Sequence, residues 1–399
     1  MWDPLKTTFG DRVTAAEGDT AVVCPMDIAE ASRLVRFARD HEINLVPTGG
    51  GTKRHWIGPS EGRTIAMDMR RLSRVVEYAP NDMTIEVEAG ITLAALQETL
   101  AKNGQRLPLD PPDAGRATIG GILAANDNGP IRFANGTARD LVIGMSFIEP
   151  DGEIARSGGR VVKNVAGYDL HKLYIGSFGT LGPIATVTFK LRPVPASRRL
   201  ILIHPSGAAD AERIIAGLLA GATRPAILDL LNGRAATAMG WDSRLTLIVG
   251  FEENAEATAW QCDQVLGEFG GQAHDETASA TLYETLCAAT GGFFETGFKA
   301  TMLSSQVSAF VELASEYPLR IVARAGNGVA HGICEASMDQ NAWRRLIEAA
   351  VAGRGNLQIR GQTPKGLQRI GSPRRDAFLS DAVRKAFDPT NMFAPQRLA

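Results

Sequence analysis

Two periods organise the apolar positions of this chain. Residues 21–27, AVVCPMD, and 43–48, INLVPT, are short apolar runs closed by turn formers, as buried strands are. Between them Ile28, Ala31, Leu34, Val35 and Ala38 recur at the spacing of one helix face, which predicts a strand, helix, strand unit. The alternation repeats, with TIAMDM (64–69) and TIEVEAG (84–90) as strands and TLAALQETLAKNGQ (92–105) as a helix ended by Gly104. LVIGMSFIEPDGEIARSG (141–158) reads as a hairpin turning at Pro150, Asp151 and Gly152, and GPIATVTFKLRPVP (182–195) as a further β run.

Past Pro195 the pattern changes. Alanine-rich helical stretches such as 208–222 alternate with short strands, LTLIVGFEE (245–253) and LRIVARAGNG (319–328) among them. The expected architecture is α+β, with a first domain over 1–196, a second over 197–375 and a terminal segment 376–399 that opens on a helix. A chain of 399 residues, 44% hydrophobic and 22% charged, is long enough for two or three real cores.

Its net charge of −2 implies no general attraction to nucleic acid or an anionic membrane, and small molecules or proteins are the expected partners. Cys24, Cys262, Cys287 and Cys334 are scattered without the C-x-x-C spacing of a zinc or iron-sulfur site. No secretory leader and no apolar span of about 18 residues is evident, so the cytoplasm is the expected compartment, with membrane contact only through partners. The basic groups Arg70, Arg71 and Arg74 read as a solvated face, Arg198 and Arg199 as a linker, and Arg374 and Arg375 as the lead-in to the last helix, without aromatic interleaving for nucleic acid.

Three glycine stretches carry candidate chemistry. In PTGGGTKR, Gly49, Gly50 and Gly51 follow a strand directly, so backbone N–H groups can converge on an anion, a pyrophosphate above all. DPPDAGRATIGGILAANDNGP places Gly120 and Gly121 at the start of a small-residue helix that can lie against a flat ligand. In the third stretch Gly176, Gly179 and Gly182 recur every three residues, which is not the Rossmann spacing. Together they suit an extended ligand with a phosphate and a wide ring.

The stretches VPTGGGT, ATIGGILAAN, KNVAGYDLHKLYIGSFGTLGPIATVTFKLRP and FDPTNMFAPQRL resemble the FAD-binding domain of the vanillyl-alcohol oxidase superfamily, of PCMH type. Within it the chain resembles the E-type, FAD-binding subunits of bacterial glycolate oxidases, strongly over about residues 20–195 and again in the last dozen. The resemblance implies two subdomains with FAD between them, a smaller cap-like α+β domain, and a C-terminal segment that returns to the first domain. By position, Thr48, Gly49, Gly50, Gly51 and Thr52 would form the pyrophosphate loop, and Thr118, Ile119, Gly120 and Gly121 would lie along the phosphates and ribityl chain. Asn126 and Gly129 would approach the flavin, while Tyr168, Asp169, Gly179, Thr180, Leu181 and Ile184 would enclose it and the adenine. Covalent members place a His where Gly51 stands, so noncovalent FAD is expected.

The resemblance further implies a complex with a catalytic D-type flavin subunit and an iron-sulfur subunit, oxidising glycolate, a 2-hydroxy acid, and passing electrons to a membrane acceptor. D-type relatives carry H-A-G-D-G-N-x-H and a later His-Gly-Glu-His loop that hold a divalent metal. Here RAGNGVAH aligns with the first, leaving His331 alone and Arg324 in place of the leading His. One imidazole cannot hold a divalent cation by itself, so no metal site is expected. Arg324 suits either a substrate carboxylate or a surface or interdomain ion pair. Arg324 and His331 are the candidates for catalysis. A stand-alone FAD-dependent hydroxy-acid or polyol dehydrogenase and an assembly subunit with a structural flavin are the other readings.

Overall fold

The computed structural model describes residues 2–58, 60–160, 167–369 and 377–393. Arg374, Arg375 and the KNVA part of the third glycine stretch lie outside the described residues, as does the end of the chain from 394.

Asp27 starts the first long helix, Ile28–Asp40, by accepting the Glu30 N–H at 2.7 Å, and the apolar face read from the sequence is buried through Ala31, Leu34, Val35 and Ala38. The strand before it is shorter than the apolar run: Thr20–Val23 stops ahead of Pro25, which has no N–H to give to a ladder. That strand and Asn44–Thr48 both run parallel to Thr64–Asp68 between them, and Val13–Glu17 closes a four-stranded sheet. This is the first subdomain.

The second is a five-stranded antiparallel sheet in the order Val75–Ala79, Thr84–Glu88, Ile184–Lys190, Val142–Ile148, Ile154–Gly158. The last two strands form the expected hairpin, with Gly152 at φ +84° in its turn. Helices Leu93–Ala101 and Ile119–Ala125 bury Leu96, Leu100, Ile122 and Leu123 against this sheet.

Residues from Ser197 onward build an eight-stranded, wholly antiparallel sheet. Its order is Gln272–Ala273, Ser197–Ile203, Thr246–Glu253, Ile227–Leu231, Leu319–Arg324, Val329–Cys334, Thr296–Thr301, Asn356–Gly361. Alternation divides its faces. Leu228, Leu230, Ile321, Ala323, Phe298 and Ile359 point to one core, shared with helices Ala208–Ala220, Ala255–Phe269, Val307–Ser315 and Gln340–Ala352. The opposite face packs partly on Ile131 and Leu286, and partly carries charge.

Arg198 and Arg199 are therefore not a linker but the first turn-in of a strand. Arg198 shares the buried Glu252 with Arg106 of the first 196 residues, each at 2.5 Å, so tertiary pairing gives the basic doublet a partner that its neighbours in sequence do not. Arg70 and Arg74, expected on a solvated face, are exposed and each holds a buried carboxylate, Asp68 and Glu88. After helix Ala377–Phe387, Asp388 accepts the N–H groups of Met392 and Phe393 at 3.0 and 2.8 Å. The Leu45 N–H donates to the Met392 carbonyl at 2.8 Å, and Met392 and Phe393 are buried in the first subdomain's core.

Candidate functional site

The GGG loop leaves the end of strand Asn44–Thr48 and presses against the segment that leads into helix Ile119–Ala125. A Cβ on Gly49 would stand 2.0 Å from Thr118 Oγ1, and one on Gly50 would stand 1.7 Å from the Arg116 carbonyl oxygen. At Gly50 no side chain fits, because backbone meets backbone there, whereas at Gly49 the obstacle is the Thr118 side chain. Gly51 faces open space but has φ +72°, the left-handed region. Thr118 caps the helix, its Oγ1 accepting the Gly121 N–H at 3.3 Å.

Between the two sheets runs a crevice. Its larger part, about 350 Å³, is walled by the Thr48–Arg54 loop on one side and by Thr118, Gly121, Ala125 and Phe178 on the other. A narrower part of about 60 Å³ continues past Gly120 and Ala89 to Gly179, Gly182 and Ile184. Thr48, Gly49, Gly50, Gly51, Thr52, Thr118, Gly120, Gly121, Gly179 and Ile184 thus come together, although three separate stretches supply them.

Others do not reach it. Tyr168 is 86% exposed, and Asp169, also exposed, is paired with Lys172; both lie on the outside rather than over a ring. The described residues put Tyr168 beside Ser157, whose hydroxyl donates to its carbonyl at 3.0 Å. Ile119 and Leu181 are buried in the core behind the crevice wall, and Thr180 is tied down by donating to the Ser177 carbonyl at 2.7 Å. Asn126 ends the helix at φ +46°, and Gly129 gives way to Asp110, whose carbonyl oxygen would lie 2.0 Å from a Cβ there. These shape the wall from behind.

Sequence reasoning missed Lys53, Asp127 and Phe178. Lys53 follows the loop directly and holds Asp127 at 2.8 Å, both nearly buried. Phe178 lies at φ +53° beside Gly179, a backbone conformation rare for a bulky side chain and without a local signal in the sequence.

The charged part of the eight-stranded sheet faces the same region. On one face a diagonal crosses five adjacent strands: Asp229 opposite Arg324, His331 opposite Lys299 two residues further along, and Arg360 two residues beyond Gln358, the partner of Lys299, on the last strand. Arg324 is fully buried and paired with Asp229, whose carboxyl is pushed up by burial, to about 6, against the pull of Arg324. Arg324 is in an ion pair, but a buried one between two strands of one sheet rather than at the surface or between domains, because the strand register sets it opposite Asp229. His331 Nδ1 sits 3.5 Å from Arg360 Nη1, and burial together with Arg360 and Lys299 drives its pKa well below the usual value, so the ring is neutral. Burial, then Arg360 and Arg132, bring Lys299 down to about 7. Burial also brings Arg360 down to about 9, which Asp127 opposes. The Arg360 guanidinium lies 3.4 Å from the ring centre of Trp56, and Lys53 Nζ 4.4 Å from the same ring. Among the described residues no group of three or more His, Cys, Asp or Glu could hold a metal ion.

Residues 20–158 match the family model described as FAD binding domain. The fold is that of alkyldihydroxyacetonephosphate synthase, with a TM-score of 0.68, 17% identity, and coverage of 93% of this chain and 75% of that one. The crevice fits the cofactor: it is long, side chains are stripped where a pyrophosphate would lie, and small residues line the flat wall. The chain is an FAD-dependent oxidoreductase of mixed α+β, PCMH-type fold, and FAD is its cofactor.

More particularly, it is 25% identical to the glycolate oxidase subunit GlcD of Bacillus subtilis (strain 168), over 95% of this chain and 88% of that protein. It is 39% identical over 162 residues to the glycolate oxidase subunit GlcE of Escherichia coli (strain K12), covering 40% of this chain and 46% of that one. It is also 34% identical over 219 residues to the mitochondrial D-lactate dehydrogenase [cytochrome] of Arabidopsis thaliana, covering 54% of this chain and 38% of that one. The chain spans less than half the length of the last two relatives.

Proposed function

We propose that this chain is the E-type, FAD-binding subunit of a glycolate-oxidising complex, working beside a D-type flavin subunit and an iron-sulfur subunit. The observation that carries the reading is the Arg324–Asp229 pair. At the position that the D-type resemblance assigns to a metal-holding His, this chain keeps a buried guanidinium already engaged by a carboxylate. Likeness to both GlcD and GlcE supports the same assembly. Bound FAD would accept a hydride equivalent and pass electrons on. The chain's own part would be to hold it: the Gly49–Gly51 backbone at the pyrophosphate, with Thr118, Gly121 and Lys53, which is paired with Asp127, lining the same part of the crevice. Among the described residues no helix is long and apolar enough to cross a membrane, and we place the complex at the inner face of the membrane through its partners.

The second reading, a stand-alone hydroxy-acid dehydrogenase, draws support from one observation, the basic side chains Lys299 and Arg360 on the sheet face, Arg360 sharing the Trp56 ring with Lys53 of the crevice. An anaerobic visible spectrum separates the two. In the complex reading the purified FAD-bound chain stays yellow with glycolate and bleaches only when the partner subunits are added. Bleaching by glycolate with the chain alone transfers the function to the second reading.

A further inference from the structure

The two parts of the crevice meet at the GGG loop, and Pro47, Thr48, Gly49, Thr118, Gly121 and Phe178 line both. One part narrows toward Gly182 and Ile184, at about 60 Å³; the other opens past Gly51 to Lys53, Arg54 and Ile57, at about 350 Å³. With the pyrophosphate, the middle of FAD, at the loop, the three-ring end of the cofactor needs the wide part. Three cations line that part, Lys53, Arg54 and Arg70. Arg54 and Arg70 are exposed, so water and salt screen them. The Lys53 side chain is only 11% exposed, and that of its partner Asp127 only 4%.

An ammonium has three N–H donors. Asp127 lies 2.8 Å from Lys53 Nζ, and the buried Trp56 ring presents its centre to the same atom at 4.4 Å. The described residues give Nζ no other polar partner, so a donor is left for what fills the crevice. Burial pulls the Lys53 pKa down, and Asp127 opposes the pull, which keeps the cation in place. A buried ion pair adds little stability over an apolar pair of the same shape. Beside a cofactor it does what an apolar pair cannot, which is to set the local potential.

A hydride, two electrons and one proton, added to the neutral ring of FAD leaves it with one negative charge unless a further proton follows. A cation in a nearly dry wall favours that product over the oxidised ring, and a carboxylate disfavours it. We infer that Lys53 tunes the cofactor: its ammonium raises the reduction potential of bound FAD, and Asp127, which holds it, moderates the rise. The inference concerns FAD alone. It asks nothing of substrate or partner and stands whichever of the two readings above holds.

The test is the midpoint potential of the full FAD-bound chain, from anaerobic titration with dithionite against a reference dye, together with the dissociation constant of oxidised FAD. For a two-electron couple, a tenfold change in the preference for reduced over oxidised FAD is about 30 mV. K53M is expected to lower the potential by at least that much, and K53R to keep the preference within about threefold of wild type. D127N removes a negative charge, leaves the ammonium, and is expected to raise the potential. A crevice that merely loosens moves every variant the same way, whereas opposite signs need charge. Because K53M strands Asp127, K53M/D127N is also compared with D127N, and the same fall is expected there without an unpaired carboxylate. R345Q, which removes a cation from an exposed pair with Glu316, leaves the potential unchanged. If K53M does not retain FAD, the comparison of K53M/D127N with D127N decides the matter. A preference that stays within about threefold in both comparisons, or a fall in D127N, overturns the inference. So does an equal loss of affinity for oxidised and reduced FAD, which would put Lys53 at the pyrophosphate instead.

Discussion

Replacing Gly50 by alanine adds one methyl group and tests the architecture of the FAD crevice directly. The new Cβ would lie 1.7 Å from the Arg116 carbonyl oxygen and 2.7 Å from its carbon. Ordinary contacts begin at about 3.5 Å, so the loop and the Arg116 segment must part by more than about 1.5 Å. Neither obstacle is a side chain that can rotate away. Overpacking of this kind costs about 1–3 kcal/mol, and with backbone on both sides the upper end applies. For a domain of this size that is a fall in melting temperature of about 5–10 °C. Because the displaced atoms wall the crevice, FAD occupancy, read as the ratio of flavin to protein absorbance, falls with it; Gly50→Val exaggerates both effects. Gly49→Ala meets the Thr118 side chain instead, at 2.0 Å, and is expected to be milder because that hydroxyl can turn aside. Gly115→Ala, with nothing within 4 Å, is the neutral control. Full FAD content and an unchanged melt in Gly50→Ala would show that the subdomains are not locked there, and the account of the crevice would be wrong.

Lys53→Met strands Asp127 in a nearly buried position and should cost about 3–5 kcal/mol in a urea melt, whereas Lys53→Met with Asp127→Asn should recover most of it; equal losses would deny the pair. Asp388→Ala removes the acceptor for Met392 and Phe393 and should cost about 2–3 kcal/mol, seen as earlier proteolysis near the C-terminus; unaltered resistance would show that the Leu45–Met392 bond holds alone.

The sequence by itself determined the elements and the cofactor loop. Ile28 to Ala38 announce their helix through a period that depends only on neighbours, and GGG after a strand announces a close backbone approach because no other residue can make one. The hairpin around Gly152 was legible for the same local reason. What only the tertiary structure decided is which distant groups share a place. Tyr168 and Asp169 sit in a stretch that reads as crevice lining, yet they face outward, since position along a motif does not say which way a side chain points. Arg324 was open between substrate and ion pair until the sheet set it opposite Asp229, 95 residues away. Lys299 and Arg360 carry no local signal at all: each is a lone cation in an ordinary strand. They come to lie beside His331 only because strand order in an antiparallel sheet brings them there, and burial at that place lowers the Lys299 pKa to about 7.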